Sequence, residues 1–161
     1  MNVLSLFDGM SCGRIALERS GVKVDKYFAS EIKPYAIEVT QANYPDTIQL
    51  GDVQFITKET FGNNKIDLLI GGSPCQDFSA ANLVQSGLKG TKSSLFYEYL
   101  RLLKELKPKY FLLENVKMKK EYQDALSELL GVEPVLFDSY LVSGVYRKRN
   151  YWTNIPFDAT I

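Results

Sequence analysis

Short apolar runs rich in β-branched and aromatic side chains alternate along this chain with segments whose apolar residues recur every three or four positions. That alternation predicts an α/β fold, repeated βα units around a mostly parallel sheet of roughly six or seven strands with helices on both faces. Val3 to Phe7 reads as a buried first strand, and Gly13 to Ser20 as a helix closed by Gly21, a residue that adopts the left-handed C′ conformation at little cost. Lys26 to Ser30 is a second strand. Pro34 opens the next helix, where its missing N–H costs nothing, and Ile48 to Leu50 is a short third strand. Ile66 to Ile70 is a continuous apolar strand running into Gly71-Gly72, and Tyr110 to Leu113 another running into Glu114-Asn115. Between them Leu95, Tyr99, Leu102, Leu103 and Leu106 keep helical spacing. Lys119 to Leu130 reads as a helix, with Pro134 to Phe137 and Tyr151 to Asn154 as the last strands. Ser73 to Ser94 mixes Gly, Ser, Asn and Lys without period and is expected to be a mobile, functional loop.

Composition narrows the chemistry. The 161 residues, 45% of them apolar, suit one domain with one sizeable core, expected to span 1–161. No apolar run of membrane-spanning length and no signal-like N-terminus is readable, so the expected location is the cytoplasm, or the nucleus in a eukaryote. Nineteen basic residues balance nineteen acidic ones, so an argument for a nucleic-acid partner must rest on local residues. The absence of histidine removes Ser-His-Asp and Cys-His catalysis and every His-containing metal site; no metal is expected. Two cysteines, Cys12 and Cys75, are too few for a zinc knuckle and give no reason to expect a disulfide.

Ligands of an open parallel sheet bind beyond the carboxyl ends of its strands. After the first strand stands Phe7-Asp8-Gly9-Met10-Ser11-Cys12-Gly13, whose glycines permit a tight turn close to a ligand but lack the G-x-G-x-x-G spacing of a dinucleotide site. Glu31, eighteen residues beyond Gly13, sits where an acidic side chain takes a ribose diol, although an exposed carboxylate is the plainer reading. Asp52 ends the third strand and serves either the exocyclic amine of adenine or the cap of a helix from Val53. Together they describe an adenosine pocket without phosphate contacts.

Gly71-Gly72-Ser73-Pro74-Cys75-Gln76 places a cysteine beyond a strand tip beside backbone amides, where a thiol is both accessible and disposed to ionise; a packing cysteine is the alternative. Cys12, in the first turn, reads instead as a small residue near the cofactor. Glu114 ends the neighbouring strand, and a carboxyl beside Cys75 would hydrogen-bond or protonate a ring nitrogen while the thiolate adds, provided burial favours its protonated form.

The ordered series Phe-x-Gly, acidic strand end, Gly-Asp-Val, Gly-Ser-Pro-Cys-Gln, Glu-Asn-Val and Arg-x-Arg resembles the DNA cytosine-C5 methyltransferases, from Leu4 to about Pro156. Within that family the likeness is to compact phage-type enzymes and the catalytic domains of de novo methyltransferases. The resemblance implies a Rossmann-like fold and S-adenosyl-L-methionine as cofactor, released as S-adenosyl-L-homocysteine. Phe7, Asp8, Gly9, Met10, Ser11 and Cys12 would line the methionine and adenosine site, with Glu31 on the ribose, Asp52 and Val53 at adenine, and Pro74 and Leu95 completing it. Cys75 would be the nucleophile toward cytosine C6 and Glu114 the partner of N3 and the exocyclic amine. Arg147 and Arg149 would contact the phosphate and O2 of a nucleotide flipped from the duplex; without the resemblance they read as a solvated basic cluster. The family's target-recognition region and final segment have no counterpart here, which leads to the expectation of a second polypeptide or a longer parent chain that supplies DNA recognition. A regulatory subunit that keeps the fold, and an RNA cytosine methyltransferase, are the alternatives.

Overall fold

The computed structural model describes residues 1–72 and 95–157. The expected loop from Ser73 to Ser94, with Pro74 and Cys75, therefore lies outside the described residues.

Seven strands form one sheet among the described residues: β1 (Asn2–Leu6), β2 (Lys26–Ser30), β3 (Ile48–Gln49), β4 (Leu68–Gly72), β5 (Tyr110–Val116), β6 (Val135–Asp138) and β7 (Lys148–Thr153), in the order β3-β2-β1-β4-β5-β7-β6. The first five strands along that order run parallel, and β7 is antiparallel to both its neighbours. The helices are α1 (Cys12–Arg19), α2 (Pro34–Asn43), α3 (Leu95–Leu106), α4 (Lys120–Leu130) and the single turn α5 (Tyr140–Ser143). None of them is long and apolar enough to cross a membrane. The α/β fold and its mostly parallel sheet agree with the sequence pattern.

The pleat divides the core in two. Leu4, Leu6, Phe28, Leu69, Phe111, Leu113 and Trp152 face one way, against Phe96, Tyr99, Leu100 and Leu102 of α3 and Leu126 and Leu130 of α4. Val3, Tyr27, Ala29 and Leu68 face the other way, with Leu17 of α1 packed on them. Gly21 closes α1 with φ +70° and Pro34 sits in the first turn of α2, as expected.

Several elements differ from expectation: β1 stops at Leu6, leaving Phe7 in the turn, and β5 runs on through Glu114 to Val116. β4 begins at Leu68 and runs on through Gly71 and Gly72, because pairing with β1 starts at Val3↔Leu68; Ile66 is buried ahead of the strand. β7 starts at Lys148, since β5 and β6 pair with it from both sides, and so takes Arg149 into the sheet. Two 3₁₀ turns, Val53–Phe55 and Lys58–Phe61, stand after β3 where a helix from Val53 was the alternative, and send Val53, Ile56 and Phe61 into the larger core.

Trp152 of β7 is fully buried, and its indole N–H donates to Ser127 Oγ of α4 at 3.0 Å. Trp152→Ala should lower stability by about 3–5 kcal/mol, measured as the shift of the denaturant-unfolding curve.

Candidate functional site

The carboxyl end of β1 turns sharply through left-handed conformations at Phe7 (φ 56°), Gly9 (φ 60°) and Ser11 (φ 59°). For Phe7 and Ser11 this backbone costs on the order of 1–3 kcal/mol each, so the surroundings must fix it. They do so with side chains. Asp8 accepts from the Ser11 hydroxyl through one carboxylate oxygen and from Tyr27 OH at 2.7 Å through the other. Ser11, itself buried, shares a 3.0 Å contact with Thr40 of α2. Burial, then the Asp8 carboxylate, pushes the Tyr27 phenol well up. Behind it the Arg14 guanidinium lies over the Tyr27 and Tyr44 rings and pairs with Asp46 at 2.6 Å. Asp8 thus braces the loop from the protein side, while its neighbours Gly9 and Met10 face outward; a Cβ on Gly9 would meet nothing within 4 Å.

Glu31, immediately after β2, accepts three backbone N–H groups: Gly9 at 2.8 Å through Oε2, and Ile32 at 2.9 Å and Lys33 at 3.0 Å through Oε1. It therefore ties the β1 loop to the start of α2. A carboxylate has about four acceptor positions, so capacity for a hydroxyl remains. Asp52 Oδ1 accepts from Gln54 N at 3.0 Å and caps the turn that follows, which is the cap alternative; its other oxygen makes no such bond to that turn. The Val53 side chain is buried in the core and does not reach the surface. Cys12 is exposed at the first residue of α1, and Leu95 is partly buried at the start of α3 against the core.

The sequence reading missed two residues. Ile32, directly after Glu31 beyond β2, is 67% exposed, and Phe55, which ends the turn capped by Asp52 beyond β3, is 81% exposed. Large apolar groups near acidic residues beyond strand ends suit a flat heteroaromatic ring; the available signal for Ile32 was an apolar residue directly after the acidic one, whereas for Phe55, three residues after Asp52, the same rule points to the buried Val53. A glycine turn open to solvent, two carboxylates at adjacent strand ends and exposed apolar side chains beside them fit an adenosine-bearing cofactor. No lysine or arginine lies in the Phe7–Gly13 turn to favour a pyrophosphate.

Further along the same edge, Glu114 and Arg149 meet. Arg149 Nε lies 2.8 Å from Glu114 Oε1, with both side chains partly buried, because β5 and β7 are antiparallel in the register Glu114↔Tyr151 and Val116↔Arg149. Burial and then the Glu114 charge push the Tyr151 phenol up. On the other side Gly72 pairs with Glu114, and a Cβ there would stand 2.9 Å from Glu114 Oε2; at Gly71 it would meet Tyr99 at 3.0 Å. Gly72 thus leaves room for the Glu114 carboxylate at the end of β4, and Gly71 leaves room for Tyr99. Arg147 is separated from this pair: its guanidinium is exposed ahead of β7 while its backbone N–H donates to Asp138 at 3.1 Å. Among the described residues no cluster of acidic or cysteine side chains is arranged to hold a metal ion.

A family model for C-5 cytosine-specific DNA methylases matches residues 1–129. The orphan methyltransferase M.Rho11sI of Bacillus phage rho11s is 41% identical over 119 residues, covering 73% of this chain and 23% of that protein. The type II methyltransferase M.NgoBV of Neisseria gonorrhoeae is 36% identical over 149 residues, covering 89% and 34% respectively. This chain thus spans about a quarter to a third of the length of those relatives. A prophage-encoded DNA modification methyltransferase structure from E. coli superposes with a TM-score of 0.75 at 26% identity, over 95% of this chain and 46% of that one. The Dnmt2 methyltransferase of S. pombe, 20% identical, shares the fold with a TM-score of 0.73, over 98% of this chain and 50% of that one.

Tyr27→Phe removes the donor to Asp8 and should cost about 1.5–3 kcal/mol, the range for a hydrogen bond to a charged group. Because the folded-state phenol is raised above its ordinary value of 10.0, its contribution is complete below that pH and fades above it. The variant should therefore lose less stability than the parent between neutral and strongly alkaline pH, read by denaturant melts at each.

Proposed function

This chain belongs to the C-5 cytosine-specific DNA methylase family, and from that premise we propose that it carries the catalytic part of an enzyme transferring a methyl group from S-adenosylmethionine to C5 of cytosine in DNA. The observation that carries the reading is the Glu114–Arg149 pair at 2.8 Å, on the strand adjoining the exit toward Cys75 and on the same sheet edge as the glycine turn.

S-adenosylmethionine, when bound, supplies an electrophilic methyl on a sulfonium. Gly9 and Met10 would contact its amino-acid portion, Glu31 its ribose hydroxyls, and Asp52 with Ile32 and Phe55 its adenine. Asp8, Ser11 and Tyr27 shape that surface from beneath. The Cys75 thiolate adds to C6 of a flipped cytosine, so that a C–S bond forms and electron density moves to C5. Glu114 accepts from the exocyclic amine, and Arg149, held at Nε, turns its remaining N–H groups toward O2. C5 would then take the methyl as the sulfonium S–CH3 bond breaks and S-adenosylhomocysteine is left, and loss of the C5 proton to water would restore the ring as the C–S electron pair returns to the Cys75 sulfur. Arg147 serves the phosphate of the flipped nucleotide. Because the chain spans only part of its relatives, recognition of a target sequence is assigned to protein outside these residues, within a longer parent chain or on a second polypeptide.

Labelled methyl transfer to duplex DNA, with such a partner or parent chain supplied, should depend on Cys75: Cys75→Ala should abolish both transfer and the covalent adduct with 5-fluorocytosine DNA while cofactor binding survives. An adduct that forms on Cys12, or transfer that persists in Cys75→Ala, overturns the assignment.

A further inference from the structure

The loop joining β6 to β7 is held firmly from inside and presents apolar and aromatic groups outside. Asp138 Oδ1 accepts from Tyr140 N at 3.2 Å and Arg147 N at 3.1 Å, and Ser139 Oγ donates to Val145 O at 2.7 Å across its neck. On that scaffold the Tyr140 and Tyr146 rings stack with centroids 4.2 Å apart and planes 2° from parallel. Stacked rings normally spare each other from water inside a core, yet here Tyr146 is 74% exposed.

Cations without an acidic partner gather beside it. The register Val116↔Arg149 and Asp138↔Lys148 brings the turn after β5, with Lys117 and Lys119, alongside the start of β7. Lys148 has Asp138 at 3.9 Å and Lys120 has Asp124. Among the described residues no acidic side chain pairs with Arg147, Lys117 or Lys119, all of them exposed. In a chain whose charges cancel overall, this local excess of cations selects an anionic partner. Cations interleaved with an open aromatic face are the makeup of a nucleic-acid surface, whereas the centres of protein interfaces are depleted of charge. Because β7 runs antiparallel to β5, the platform stands at the same sheet edge as Glu114 and Arg149.

Resting on the DNA substrate proposed above, we infer that the β6–β7 loop is a DNA-docking platform: a base beside the target cytosine stacks on the Tyr146 ring, and the Lys117–Lys119 turn holds the phosphates that flank the one assigned above to Arg147. The two kinds of contact respond differently to salt, since phosphate contacts release counterions and stacking does not.

The test is fluorescence anisotropy of the full chain with a labelled duplex carrying a cytosine opposite an abasic site, at several salt concentrations. Tyr146→Ala should weaken binding about tenfold with an unchanged salt slope, and Tyr146→Phe should bind like the parent, because stacking needs the ring and not the hydroxyl. Arg147→Ala should reduce the slope of log affinity against log salt by about one. Parent-like binding by Tyr146→Ala, or no binding by the unaltered chain, overturns the inference. So does a Tyr146-dependent self-association in sedimentation with DNA binding intact, which would make the surface a protein interface. Loss of Cys75-dependent methyl transfer with Tyr146-dependent binding retained would remove the proposed reaction and leave the platform standing.

Discussion

Parallel pairing of β1 with both β2 and β4 aligns Leu6, Ser30 and Gly71 at one sheet edge. A parallel sheet sends its chain out at the carboxyl end of each strand and returns it through a helix, so the polar groups of successive crossovers collect along one line. Here the glycine turn, Glu31, Asp52, Glu114 and Arg149 all lie on that line. The apolar alternation that buries Val3 and Leu4 on opposite faces thus holds together the sheet whose edge carries the residues proposed for the cofactor and for the target base.

Alignment alone does not make a binding surface, because the turn after β1 is in a backbone conformation that Phe7 and Ser11 resist. The polar network around Asp8 offsets that cost from below, and Glu31 clamps the turn from the side. Three N–H groups converge on the Glu31 carboxylate, and with the cap formed by Asp52 four backbone donors at this edge are met by carboxylates. A turn so constrained presents its outer face preformed, and a ligand meeting it gives up little binding energy to ordering.

The pocket side works by close approach. Gly71 and Gly72 leave no side chain between β4 and the groups above it, so Tyr99 and Glu114 settle onto bare backbone. Extra pairing of β7 then draws Arg149 into the sheet and against Glu114, whereas Arg147, two residues earlier, falls before the ladder and stays in water. A two-residue spacing that looks like one basic cluster in sequence becomes one buried-side role and one solvent role.

The sequence by itself determined the α/β class, nearly every strand and helix, and the strand-end residues, because apolar period and turn chemistry are local properties read over a few neighbouring positions. It also carried the family motifs, including Cys75, whose position lies outside the described residues. It left open whether Asp52 caps a turn, did not show that Ser11 and Tyr27 hold Asp8, did not single out Ile32 and Phe55, and could not separate Arg147 from Arg149. Those were decided by tertiary structure: a carboxylate's partner depends on which distant donors the sheet brings within about 3 Å, and whether an arginine is paired or free depends on the register of β7 against β5, whose residues lie more than thirty positions away in the chain.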